Sequence, residues 1–139
     1  MNKIVLHGRK VVGGCTEGEA LVSKTTISGW GGIDPQKGVI VERRHPLRGQ
    51  SFKGKVLVIP GAKGSSGGSG AFHGARLAGA GPKAFLFNEM TSKMALVSVV
   101  AQVPAMTGFD KDPLDLIQSG DWVKVDADNG IVEVTRKTN

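Results

Sequence analysis

The stretch IPGAKGSSGGSGAFHGARLAGAG, from Ile59 to Gly81, decides the fold. It follows Lys55–Ile59 (KVLVI), a short apolar run that reads as a buried strand. Its second half, Ala71–Ala80, places small and apolar residues at helical spacing, with Pro82 as the stop signal. The run KAFLF (Lys83–Phe87) then reads as another buried strand. Strand, loop, helix, strand is the unit of an α/β sheet. The connector is longer than a plain strand-to-helix loop of about two to six residues. It also carries Lys63 and the hydroxyls of Ser65, Ser66 and Ser69.

Upstream, KIVLHGRKVV and GEALVSKTTI read as strands separated by Gly13-Gly14, and Asp34-Pro35 opens a turn that Gly38 closes before VIVE. The polar, basic segment RRHPLRGQSFKG reads as a surface connection. Downstream, Thr91 is placed to cap a helix over SKMALVSVVAQ, with Met94, Val97, Val100 and Ala101 on one stripe. VPAMTG returns as a short strand, and Asp112-Pro113 starts a one-turn helix reaching Ile117. The ending DWVKVDADNGIVEVTRK alternates around an Asn129-Gly130 turn and reads as a hairpin. With no repeat and no internal linker, residues 1–139 are expected to form one domain, an α/β fold in β/β/α layers.

Composition narrows the function classes. The chain has 139 residues, 40% hydrophobic and 22% charged, which suits a globular protein with a real core. Its 21 glycines, without a collagen period, suggest many tight turns. No apolar run approaches the roughly 20 residues of a membrane span, and MNKIVLHGRKVV lacks a signal-peptide core. A cytoplasmic protein with no membrane partner is expected. The net charge of +6 allows an anionic partner. With no tyrosine and 5% aromatics, the stacking platforms of a nucleic-acid binder are missing, so none is expected. One cysteine, Cys15, excludes an internal disulfide and cannot alone build a metal or iron–sulfur site; it reads as a small buried hydrophobe. No metal or cofactor is expected on this chain.

Four mechanisms could use the Gly/Ser loop, the first being nucleotide-phosphate binding through either of two motifs. A nucleotide-phosphate loop requires Gly-Lys-Ser/Thr, but Lys63 precedes Gly64 here. A dinucleotide fingerprint begins at Gly68-Ser69-Gly70, but Gly74 falls one residue late. A serine hydrolase fits the pentapeptide Gly64-Ser65-Ser66-Gly67-Gly68. The triad that it needs is missing, because His73 is the only later histidine and no acid stands between. Capture of a carboxylate or phosphate fits best. Loop N–H groups, the three hydroxyls, Lys63 and a helix N-terminus supply convergent positive potential. A serine held among such donors could also act as a general base beside a carboxylate.

GEALVSKTTISGWGGIDPQKGVI, GKVLVIPGAKGSSGGSGAF and GDWVKVDADNGIVEV resemble, in order, the small swivelling-domain subunit of the aconitase X family. The resemblance runs from Gly8 to Val134 and is most specific at Lys63-Gly64-Ser65-Ser66, with Gly67 to Ser69 after it. It implies a swivelling β/β/α three-layer domain and a hydro-lyase of the aconitase superfamily. In the wider superfamily this loop carries Gly-Ser-Ser-Arg, whose first serine is the catalytic base. By position that serine is Ser65; Lys63, Gly64, Ser66, Gly67 and Ser69 would form the substrate-binding cradle. Gly67 stands where the arginine would be, so a bidentate carboxylate clamp is missing.

The resemblance also implies a large partner subunit that carries an iron or iron–sulfur centre, and a small carboxylate substrate bound between the two. Family activities are dehydration of cis-3-hydroxy-L-proline and of phosphomevalonate. FLFNEMTSKMALVSVVAQVPAM points toward hydroxyproline, with phosphomevalonate as the alternative. A non-enzymatic anion-binding module remains a different class of reading.

Other residues carry plainer expectations. His7, His45 and His73 are too scattered for a metal site and read as surface or packing residues. Arg43, Arg44, His45 and Arg48 read as a solvated basic loop, or as a docking surface for the large subunit. Asp34 is expected to be a turn residue. Trp30 and Trp122 are expected in the core or, if exposed, at a subunit interface.

Overall fold

A computed structural model describes residues 3–25, 27–28, 33–43, 45–63, 67–89 and 92–136. The chain begins with β1 (Lys3–His7), β2 (Arg9–Val12) and β3 (Cys15–Val22). An excursion holds the two-residue strands β4 (Ile27–Ser28), β5 (Ile33–Asp34) and β6 (Val39–Ile40). Then come β7 (Val56–Ile59), β8 (Ala62–Lys63), α1 (Gly67–Leu77), β9 (Ala84–Phe87), α2 (Ser92–Ala101) and β10 (Ala105–Thr107). The chain closes with α3 (Pro113–Leu116) and the hairpin β11 (Trp122–Asp126) and β12 (Ile131–Thr135).

Among the described residues, eight strands form one sheet in the order β1-β12-β11-β3-β7-β9-β10-β2. β3, β7, β9 and β10 run parallel, and every residue of β7, β9 and β10 is buried. Burial on both faces is what parallel strands require. Their side chains alternate between two cores. Leu57, Ile59, Phe85 and Phe87 pack with Phe72 and Ala75 of α1 and Met94, Val97 and Ala101 of α2. Val56, Val58, Ala84 and Leu86 pack with Leu6, Val123, Val125, Val132 and Val134 of the antiparallel strands. The result is three layers, antiparallel β on parallel β on α, which is the β/β/α layering read from the element order and the swivelling-domain architecture that the resemblance implies.

The sheet folds over on itself at Gly8. β1 and β2 lie at opposite ends of the strand order yet only Gly8 separates them, so KIVLHGRKVV is two strands rather than one. The Gly8 N–H donates to the Gly130 carbonyl at 3.0 Å. A Cβ on Gly8 would fall 2.7 Å from the Phe109 ring and 2.9 Å from the Thr107 carbonyl, so the corner has room only for glycine. The His7 N–H donates to Asp110 at 3.0 Å and holds that carboxyl below its usual range.

Two other boundaries differ from expectation. The helix read as Ala71–Ala80 runs Gly67–Leu77. Gly79, at φ +71°, ends it: the Ala80 N–H reaches the Ala75 carbonyl at 2.8 Å and the Gly79 N–H reaches Arg76 at 3.0 Å. That is a Schellman closure, and it acts before Pro82. At its start, burial of Phe72 and Ala75 overrides the roughly 1 kcal/mol cost of each helical glycine. The β11–β12 loop is four residues, Ala127–Gly130, rather than the two at Asn129-Gly130. The Asp126 carboxylate holds it by accepting from the Asn129 backbone at 3.2 Å and side chain at 2.8 Å.

Candidate functional site

The carboxyl ends of β3, β7, β9 and β10 share one edge of the parallel layer, where ligands bind in open α/β sheets. The Gly/Ser loop leaves β7 there. Its first part, β8, pairs in parallel with β4, Ile27 against Ala62 and Ser28 against Lys63. The loop is therefore held sideways by a strand that belongs to the excursion. α1 begins at Gly67, which puts the backbones of Gly67 and Ser69 in its first turn. That turn carries no acidic residue, so nothing on the helix offsets the positive potential of its free N–H groups. Gly64, Ser65 and Ser66 lie outside the described residues, as do the side chains of Lys63 and Ser69.

A buried hydrogen-bond network fixes the approach to β4. The Ser23 N–H donates to the Val58 carbonyl at 2.9 Å, extending the β3–β7 pairing. His45, 5% exposed, accepts the Leu47 N–H on Nδ1 at 3.0 Å. The imidazole is therefore neutral with its proton on Nε2, which faces Ser23 Oγ at 3.3 Å. Ser23 Oγ in turn donates to the Thr25 carbonyl and accepts the Thr25 N–H at 3.2 Å. This Ser–His pair is no nucleophile and base, because the histidine donates to the serine and the hydroxyl proton is already placed. His45 is thus a packing residue beneath RRHPL and leaves the basic surface to Arg43 and Arg48, which are exposed. Arg44 lies outside the described residues.

The far rim is tied as firmly. The Asn88 and Glu89 N–H groups both donate to the Pro60 carbonyl, at 3.1 and 2.9 Å. Asn88 Nδ2 donates to Asp112 at 3.1 Å, and the same carboxylate caps α3 through the Leu114 N–H at 2.9 Å. Thr107 Oγ1 donates to the Phe87 carbonyl at 2.8 Å. The candidate loop thus springs from strand ends cross-linked to each other.

The remaining expectations resolve individually. Asp34 is a turn residue: its carboxylate accepts the Gln36 and Lys37 N–H groups at 3.0 and 3.2 Å. His7 and His73 are exposed. Cys15 is exposed rather than buried, because it lies on the outward face of β3, where residues alternate with the buried ones. Its thiol donates to Asp126 Oδ1 at 3.2 Å, and that bond pushes its pKa up. Trp122 is 48% exposed and donates to Glu17 at 3.1 Å; Trp30 and Thr91 lie outside the described residues. Among the described residues no three His, Cys, Asp or Glu side chains converge on a point. No described helix is long and apolar enough to cross a membrane.

Glu89 is the only acidic residue between Glu42 and Asp110, a stretch holding nine lysines and arginines.

A family model described as the aconitase X swivel domain matches residues 5–134. The chain belongs to the aconitase X swivel-domain family. Curated relatives of this swivel domain include the phosphomevalonate dehydratase small subunits of Methanosarcina acetivorans and Thermococcus onnurineus. The first is 38% identical over 98% of this chain and 94% of its own length. The second is 41% identical over 93% and 97%. Among solved structures, the crystal structure of Thermococcus kodakaraensis aconitase X in its holo-form superposes with a TM-score of 0.88. It is 37% identical and covers 96% of this chain and 99% of the matched one.

Proposed function

We propose that this chain is the small subunit of an aconitase X-type dehydratase that removes water from phosphomevalonate and acts only with its large subunit. The observation that carries this reading is the whole-length likeness to small subunits named for that activity. Those relatives favour the phosphomevalonate alternative over cis-3-hydroxy-L-proline. The charge of +6 agrees, since a substrate bearing both carboxylate and phosphate is drawn to a basic protein more strongly than a zwitterionic imino acid.

Dehydration of a 3-hydroxy acid removes a proton from the carbon next to the carboxylate and a hydroxyl from the carbon beyond. In this reading Ser65 takes the proton. Lys63, Gly64, Ser66, Gly67 and Ser69 hold the carboxylate and the negative charge that grows on it, helped by the N-terminus of α1. The described residues do not fit an iron or iron–sulfur centre: no donor cluster forms, and Cys15 already donates to Asp126. That centre is assigned to the large subunit, and the shared site is closed by docking of the two chains.

The test is co-expression with the large-subunit chain of the same organism and assay of the purified complex on phosphomevalonate and on cis-3-hydroxy-L-proline. Turnover of phosphomevalonate by the complex alone, abolished by Ser65→Ala, is expected. Turnover by the isolated small subunit, or full activity in Ser65→Ala, refutes the reading. A complex inert on both substrates returns the chain to an anion-binding module.

A further inference from the structure

We propose that His45 is a positioning residue for the anion-binding loop, acting through Ser23 on β4, an inference that rests on the reading of that loop given above. The eight-stranded sheet holds the chain as far as Ile59, in register with Phe87. Pro60 is still pinned, because its carbonyl accepts the Asn88 and Glu89 N–H groups. Beyond it, β8 lies outside that sheet. Among the described residues its strand partner is β4, through Ile27 against Ala62 and Ser28 against Lys63. Lys63 ends β8 and Gly67 begins α1, so residues 64–66 bridge two ends whose places are set elsewhere.

Both ends are supported by the excursion between β3 and β7. At the far end, a Cβ built on Gly74 of α1 would lie 3.4 Å from the Pro35 Cβ, so the β5–β6 turn packs directly on the helix. At the near end, β4 begins two residues after Thr25. Ser23 is anchored to the sheet by its N–H, and its Oγ closes the turn by accepting the Thr25 N–H at 3.2 Å and donating to the Thr25 carbonyl. The direction in which the chain leaves β3 therefore depends on one hydroxyl. His45 Nε2 donates to that hydroxyl at 3.3 Å. Ser23 and His45 are 2% and 5% exposed, so water does not compete for this bond. The imidazole has a firm base of its own. Residues 41–48 form a compact loop closed by the Ile40 N–H to the Gln50 carbonyl at 3.0 Å and the Gly49 N–H to the Ile40 carbonyl at 2.7 Å.

The two ring nitrogens do different work. Nδ1, which accepts the Leu47 N–H at 3.0 Å, shapes the loop that carries the histidine. Nε2 reaches across to Ser23, and this bond alone bears on β4. A role confined to stability would draw on both bonds alike, whereas positioning draws on the second. Displacing β4 displaces β8 and the backbone of Lys63 with it. Misplacement of a binding group by about 1 Å can cost on the order of 100-fold in rate.

Two substitutions separate the bonds. His45→Asn keeps an acceptor for the Leu47 N–H but is too short to reach Ser23. His45→Gln carries an amide N–H to the Nε2 position and gives up the Leu47 bond. Amide hydrogen exchange of the full-length chain, followed by NMR, is measured beside kcat/KM of the two-subunit complex on phosphomevalonate. In His45→Asn, and likewise in Ser23→Ala, the amides of β4 and β8 should exchange about 5-fold faster, the factor that one lost hydrogen bond is worth. Those of β7 and β9 should not change, and kcat/KM should fall about 10-fold or more. His45→Gln should stay within about 3-fold of wild type in both measurements. Unchanged exchange of β4 and β8 in His45→Asn, an equal rise in β7 and β9, equal losses in the two His45 variants, or local loosening with kcat/KM intact overturns the inference. A wild-type complex inert on phosphomevalonate, with the expected exchange pattern, refutes the functional reading and leaves His45 as the residue that positions this loop.

Discussion

Replacing His45 by alanine tests whether the excursion that supports β4 is held by the Ser23–His45–Leu47 network. The substitution strands the Leu47 N–H, which now reaches Nδ1 at 3.0 Å. Because that bond is only partly buried, its loss costs about 1 kcal/mol, the lower end of the range. The Nε2–H bond to Ser23 at 3.3 Å adds about 1 kcal/mol. The void left by a ring that is 5% exposed adds about 1 more. A loss of about 3 kcal/mol is therefore expected, or about 10 °C in Tm for a chain of this size. His45→Asn discriminates. Its side-chain oxygen can still take the Leu47 N–H but is too short to reach Ser23, so about 1–2 kcal/mol is expected. Urea denaturation followed by far-UV circular dichroism measures both. If His45→Ala costs under about 1 kcal/mol, or the two variants are equally destabilised, the network does not hold the segment.

Cys15 is exposed yet should react slowly with iodoacetamide at neutral pH, because its bond to Asp126 raises the thiol pKa. The pH–rate inflection should lie above that of an ordinary thiol and move down in Asp126→Asn; an unchanged inflection contradicts the hydrogen bond. Asp121 is nearly buried and pairs with Arg136 at 3.0 Å while also accepting the Gln118 N–H at 2.9 Å. Arg136→Met should cost about 2–3 kcal/mol. Breaking the exposed Lys3–Glu133 pair, at 3.8 Å, should cost under about 1 kcal/mol in the same denaturation assay. Equal costs would show that burial does not set the strength of the Asp121 pair.

The sequence by itself determined the parallel core and the place of the loop. Val56–Ile59 and Ala84–Phe87 are apolar without alternation, and such runs signal strands buried on both faces whatever surrounds them. The glycines and serines from Gly64 to Ser69 carry the anion-binding role proposed here, because few other residue types are compatible with so many accessible backbone N–H groups. Only the tertiary structure decided where continuous patterns break. KIVLHGRKVV has no turn signal stronger than one glycine, and the break arises because Phe109 and Thr107 occupy the space a side chain would need. Cys15 was misread because a small apolar residue carries no sign of which strand face it takes; pairing with β11 turned it outward. His45 looked like part of a basic surface, since charge in sequence says nothing of hydrogen-bond partners 22 residues away. Glu89 meets Gly61 only because β7 and β9 are neighbours in register. Local chemistry is written in short stretches, whereas proximity between distant residues is created by the packing of the sheet.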